Sequence, residues 1–157
     1  MAKRLAIASP LDETISINRI VASGAAGSID RGTPAKEGSA GAVAIMVDGN
    51  CTTSERFSGI AKTVSTDTAS AAGTVKLWLP LAGIKYVGSP KVAGACDTQA
   101  EIDALAGSRV VFDLTTGDWT VDTAAGDSAT NGVVIIGGQL EQDLVYFWVS
   151  QSCTVFE

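Results

Sequence analysis

Apolar residues follow two rhythms along the chain, and the commoner has a period of two. In Ile15–Ala22 (ISINRIVA), Ile15, Ile17 and Arg19 fall on one side of an extended segment, and Ser16, Asn18 and Ile20 on the other. In Arg109–Leu114, Val110, Phe112 and Leu114 alternate with Val111 and Asp113, the pattern of a half-buried antiparallel strand. Further strands are predicted at Ala42–Val47, Arg56–Val64, Thr74–Leu79, Ile84–Val87, Trp119–Asp122, Gly132–Ile136 and Leu144–Val149. Pro80 stops the strand before it, and Asp48-Gly49-Asn50 is a turn. Thr115-Thr116-Gly117-Asp118 suits a tight hairpin with its glycine left-handed. Val133-Val134-Ile135-Ile136 is apolar on both faces, which predicts a central or covered strand.

The second rhythm occurs once. Thr98-Gln99-Ala100-Glu101 has the form of a capping box, and Ile102, Leu105 and Ala106 make an i, i+3, i+4 stripe that Gly107 terminates. A helix of about two turns is stable only when docked, so it is expected to plug one end of a sheet structure.

Leu5–Ala8 (LAIA) and ISINRIVA have no hairpin partner nearby, and Ser23–Gly41 is rich in Gly, Ala and Ser with a turn at Gly32-Thr33-Pro34. Residues 1–36 are therefore expected to be an extended N-terminal arm and linker, and residues 37–157 a β-rich globular body with a short helix near 98–106. The fold class expected is all-β, a small antiparallel barrel or sandwich. An unpaired strand invites addition to another protein's sheet, so Leu5, Ile7, Ile15, Ile17 and Ile20 are the candidate contacts of the arm.

The composition, 46% hydrophobic and 18% charged, is that of a folded chain. No apolar run approaches the roughly 20 residues that span a bilayer, and Met1-Ala2-Lys3-Arg4 precedes too short an apolar patch for a secretory signal. A soluble protein made in a cytoplasm, without membrane partners, is expected. All 11 Lys and Arg lie between Lys3 and Arg109, whereas the remainder carries only acids: Asp113, Asp118, Asp122, Asp127, Glu141, Asp143 and Glu157. That acidity argues against nucleic acid as a partner. Asp118, Asp122 and Asp127 lack the spacing of a calcium loop.

Candidate chemistry is sparse. The absence of histidine removes the usual general base, both Ser–His–Asp and Cys–His arrangements, and the commonest zinc partner. Cys51, Cys96 and Cys153 show no C-x-x-C spacing and are expected to be reduced, partly buried thiols, one of which stays unpaired if a single bridge forms. No phosphate loop occurs, and Gly24–Ser28 does not join a strand to a helix as a dinucleotide site requires. Asp113 with Asp118 or Asp122 is the one local carboxylate pair. No enzymatic activity, cofactor or metal is expected. Trp78 alternates with Leu77 and Leu79, which places it outward with Lys76 and, beside Pro80, makes a candidate protein-contact surface. Tyr146 and Trp148 share a face opposite Phe147; core packing is the alternative for all these aromatics, and neither Trp119 nor Trp148 has cations beside it in sequence.

Gly59-Ile60-Ala61, the polar loop Ser65-Thr66-Asp67-Thr68, the spacer Ala71-Ala72-Gly73-Thr74-Val75 and the strand Leu77-Trp78-Leu79-Pro80 together resemble small head proteins of tailed bacteriophages, in particular capsid decoration, or cement, proteins. The resemblance covers about Ala42 to Val87. It implies a non-enzymatic, β-rich protein that binds the major capsid protein on the outer surface of the virion, commonly as a homotrimer, with an extended N-terminal segment pairing with the shell. On that reading the small-residue connector between the two strands lies close against a neighbour's backbone. Residues 89–157 fall outside the resemblance and would be an inserted or capsid-distal subdomain. Two other readings fit the same residues: another virion component, such as a tail-tube, head-completion or minor fibre protein, or a carbohydrate-binding β-domain with Trp78 or Trp119 in an acid-flanked groove.

Overall fold

The computed structural model describes residues 5–7, 16–24, 27–81 and 83–155. The strands are β1 (Ala6–Ile7), β2 (Ser16–Val21), β3 (Pro34–Glu37), β4 (Val43–Ile45), β5 (Phe57–Ala61), β6 (Gly73–Trp78), β7 (Tyr86–Gly88), β8 (Arg109–Thr115), β9 (Asp118–Asp122), β10 (Val133–Gln139) and β11 (Leu144–Val149), with one helix, α1 (Gln99–Leu105), between β7 and β8. They form a closed barrel, β2-β4-β3-β5-β6, and a six-stranded sheet, β1-β7-β11-β10-β8-β9. The fold is all-β with one short helix.

The pairing of the described residues corrects the reading of residues 1–36 as an arm. β2 pairs antiparallel with β6 from Ser16 opposite Trp78 to Val21 opposite Gly73, and Val21 also meets Val43 in a parallel contact that closes the ring. β1 pairs with β7, Ala6 opposite Val87 and Ile7 opposite Tyr86. Both segments lack a hairpin partner only because their partners lie far along the chain. Pro34–Glu37, read as linker, is the strand between β4 and β5. Pro opens it, where a strand tolerates the missing N–H, and PAKE has no apolar alternation to betray it. The barrel interior is filled by Val21, Ile29, Ala35, Val43, Ala61, Val75 and Leu77, side chains small enough for five strands to close around.

The connector between β5 and β6 closes one end of this barrel. Ile29 N–H donates to Ser65 Oγ at 2.9 Å, and Ser65 N–H donates to the Ile29 carbonyl at 2.9 Å. The buried Asp67 carboxylate accepts from the Ser28 hydroxyl at 2.7 Å and from the Ser65 hydroxyl at 2.5 Å. The Ser65 hydroxyl lowers the Asp67 pKa, and with the Ser28 hydroxyl and amide it outweighs the opposing effect of burial. The polar residues of this tract are thus the hydrogen-bonding partners that let Ile29 plug the barrel, fully buried.

Barrel and sheet share the larger core. On β5 and β6, Phe57, Ile60 and Trp78 point out of the barrel and into the inner face of the sheet, joining Tyr86, Phe112, Val121, Val133, Ile135, Val145 and Phe147. Phe57 stands at its centre, 6.0 Å from Tyr86 with the rings at 89° and 5.5 Å from Phe112. Phe147 completes the cycle at 5.6 Å from Tyr86 and 5.7 Å from Phe112. Such edge-on and offset contacts add to the burial of these rings. The C-terminal segment ties the two layers again, through a parallel bridge of Phe57 with Thr154 and an Arg56 Nε donation to the Thr154 carbonyl at 2.8 Å.

The hairpin and helix follow the sequence. β8 and β9 are joined by Thr116 and Gly117, both at positive φ (52° and 87°), as a two-residue turn with the twist of a hairpin requires. The Thr98 hydroxyl accepts from the Glu101 N–H, the Glu101 carboxylate accepts from the Thr98 N–H, and Ile102 is the buried residue that docks α1 beside β10.

Two outcomes follow. Phe57→Ala removes the ring that links barrel and sheet and should cost about 3–5 kcal/mol in denaturant unfolding. Deleting residues 2–22 removes a barrel strand and should abolish cooperative unfolding; a truncated chain that unfolds in one sharp transition would contradict the assignment of β2 to the barrel.

Candidate docking surface

The alternation of β11 leaves one face of the sheet outside the core. Val145, Phe147 and Val149 are buried, while Tyr146 is half-buried and Trp148 is 45% exposed. Neighbouring strands extend the outer face in register: Val134 lies opposite Trp148 and Arg109 opposite Val134, while Val87 lies opposite Tyr146. A bulge between Ile135 and Gly137 inserts Ile136 into this edge of the pattern and leaves it 47% exposed.

Trp148 stands between two concavities. One, of about 300 Å³, is lined by Pro80, Arg109, Val134, Trp148, Val149, Ser150 and Gln151. The other, of about 190 Å³, is lined by Gly83, Ile84, Lys85, Ile136 and Trp148. A cation borders each. The Arg109 guanidinium donates to the Ala129 carbonyl at 2.8 Å and to Ser150 Oγ at 3.4 Å. Lys85 Nζ lies 4.5 Å from the centre of the Tyr146 ring. Among the described residues neither cation pairs with a carboxylate. The apolar face around Trp148 is thus bordered by two cations, with the Asp127 carboxylate close by, accepting from the Arg109 main-chain N–H at 2.8 Å.

The residues expected to form a binding arm are dispersed. Leu5 is buried in the shared core, where a side chain at Gly88 would come within 2.4 Å of its Cδ2. Ile7 pairs through its backbone with Tyr86, and Ile15 lies outside the described residues. Ile17 is half-buried opposite Leu77, and Ile20 is 59% exposed on the barrel. Trp78, expected to face outward, is 5% exposed, because the outside of the barrel at β6 is covered by the sheet. Pro80, beside it in sequence, is buried and lines the larger concavity. Trp119 is also buried, so neither tryptophan considered for a glycan groove lines one. Sequence reasoning does not bring Trp148, Ile136, Lys85 and Arg109 together as a site. The alternation of Tyr146 and Trp148 with Phe147 was visible, but nothing in it shows which side meets solvent, and the flanking cations arrive from other strands.

The carboxylate pair is real in space but occupied. Lys91 Nζ lies 2.7 Å from Asp113 Oδ1 and 2.9 Å from Asp122 Oδ2, while Asp118 sits apart at the hairpin turn. Burial raises the Asp113 pKa, but the Lys91 ammonium and the Thr115 hydroxyl outweigh it and hold the carboxyl below its ordinary range. Lys91 is in turn held firmly protonated by Asp113 and Asp122. The ion triad fastens Ser89–Lys91 along β9, where Lys91 N–H donates to the Val121 carbonyl at 2.8 Å and Val121 N–H to the Ser89 carbonyl at 3.0 Å.

No protein-family model matches the chain, and no curated protein or solved structure shows significant similarity to it.

A pH dependence follows from the triad. Because the folded Asp113 pKa lies below the unfolded value of about 3.9, its stabilisation is present above that pH and is lost as pH falls through the folded value. Asp113→Asn should destabilise the protein at pH 7 by about 1–3 kcal/mol. In denaturant titrations it should also flatten the loss of stability between about pH 5 and 2. A variant with an unchanged acid limb would show that the Lys91 contact does not form in solution.

Proposed function

We propose that the chain is a non-enzymatic decoration, or cement, protein that binds the outer surface of a tailed-bacteriophage capsid and stabilises it. The observation that carries this reading is the face around Trp148: an exposed aromatic on the sheet, flanked by apolar side chains and by two cations that form no salt bridge among the described residues. An aromatic centre with a polar rim is the anatomy of a protein-contact patch. The sequence likeness to head proteins over Ala42–Val87 points to the partner, the major capsid protein of the same virus. The protein would be made in the host cytoplasm and reside on the virion. Three copies around a local threefold axis would gain affinity from one another, since the second and third contacts become intramolecular.

Attachment through this face replaces attachment through a free arm, because the main-chain hydrogen bonds of β2 are already used within the barrel. Tryptophan at the centre of a patch is a residue whose truncation costs about 2 kcal/mol or more, on the order of 30-fold in affinity.

The test uses empty expanded heads from the phage that encodes the chain, with bound protein counted after sedimentation. The wild-type protein should saturate at a fixed number of copies. Trp148→Ala should weaken binding on the order of 30-fold, and Ile20→Ser, on the exposed side of β2, should leave it unchanged. No binding of the wild type to heads would overturn the decoration reading; loss on Ile20→Ser with none on Trp148→Ala would move the attachment to the barrel.

A further inference from the structure

The three thiols are buried and unbridged, and the docking face uses none of them. Two of them converge on one backbone position. A side-chain carbon at Gly132 would lie 2.8 Å from Cys51 Sγ and 2.6 Å from Cys153 Cβ, so the two cysteines face each other across the space that glycine leaves. Both sides of that space are pinned. Gly132 N–H donates to the Cys51 carbonyl at 2.7 Å, Ser150 N–H donates to the Gly132 carbonyl at 2.8 Å, and Thr52 bridges Asn131. Cys153 Sγ meanwhile donates to the Thr130 carbonyl at 3.6 Å, a weak contact. Cys51 holds φ at 120°, a backbone conformation that costs any side-chain-bearing residue and that glycine would relieve.

We propose that Cys51 and Cys153 form an intramolecular disulfide when the chain meets a low-molecular-weight disulfide such as oxidised glutathione. The bond staples the C-terminal turn, Gln151–Cys153, to the loop that leaves β4. Opening of that short turn frees Cys153. Its thiolate attacks one sulfur of oxidised glutathione, forming a mixed disulfide and expelling a glutathione thiolate that takes up the cysteine's proton. When the turn recloses, the Cys51 thiolate attacks the Cys153 sulfur and expels the second glutathione, which is protonated in turn. Two cysteine thiols are oxidised and one glutathione disulfide is reduced to two thiols. Burial, reinforced by Cys153, keeps the Cys51 thiol protonated, so the exchange is slow in the closed protein and faster when the turn opens. Cys96 belongs to a different place, the loop before α1, where its N–H donates to Asp143 Oδ1 at 3.0 Å; burial and the neighbouring acids push its pKa up to about 11.

The proposal is independent of the capsid reading and is tested on the purified full chain. The reduced protein is incubated with oxidised glutathione in a low, non-denaturing concentration of urea, blocked with an alkylating agent after full denaturation, and mapped by non-reducing peptide mass spectrometry. The expected result is one linked pair of peptides carrying Cys51 and Cys153, a single alkylated thiol at Cys96, and a thermal midpoint higher by about 10 °C that reverts on reduction. Cys96→Ser should retain the shift, while Cys51→Ser and Cys153→Ser should lose it. Three free thiols, stable glutathione adducts at both positions, a bond to Cys96, a disulfide between two chains, or a midpoint lowered by the bond would each overturn the proposal. Mapping of the wild type and of Cys96→Ser decides the matter even if the other two variants fold poorly.

Discussion

Phe57 is the side chain on which the two halves of the molecule depend. It leaves the barrel from β5 and enters a ring of three aromatics supplied by β7, β8 and β11, strands that are widely separated in the chain. A five-stranded barrel filled with Val, Ala, Ile and Leu buries little apolar surface by itself, and a six-stranded sheet needs a layer over its inner face. Each supplies what the other lacks. The same packing explains why β5, whose sequence FSGIA is poor in large side chains, is buried along its entire length.

Local chemistry was legible in the sequence, and long-range partnership was not. The Thr98–Glu101 box and the Thr116-Gly117 turn are complete within a few residues, so the elements they specify could be read directly. The apolar run at Val133–Ile136 pointed to a central strand, and β10 does lie between β8 and β11. By contrast, β2 looks like a free strand because its hydrogen bonds go to β6, with three other strands in between. Trp78 shows a further limit. Alternation separates it from Leu77, yet one of these faces fills the barrel and the other fills the core beneath the sheet.

The proposed docking face illustrates the same limit. Trp148 has no basic residue after it in sequence, but the sheet brings Arg109 and Lys85 to either side of it from β8 and from the residue before β7. An aromatic from the acidic C-terminal third has, on one face of the sheet, a cation on either side. Charge counted along a chain describes the whole surface; charge counted across a sheet describes a site.

The clamp of Ser89–Lys91 along β9 has a consequence for how many molecules can coexist. The sheet ends on one side at a strand of only two residues, β1, and on the other at β9, where Val121 already exchanges main-chain hydrogen bonds with that segment. Pro90 bridges Val121 at this position, and a proline has no amide to offer a newcomer. Among the described residues, neither margin presents a long ladder for an incoming backbone. At the β9 margin a continuous sheet between crowded copies is thereby disfavoured, and side chains are left as the means of contact there.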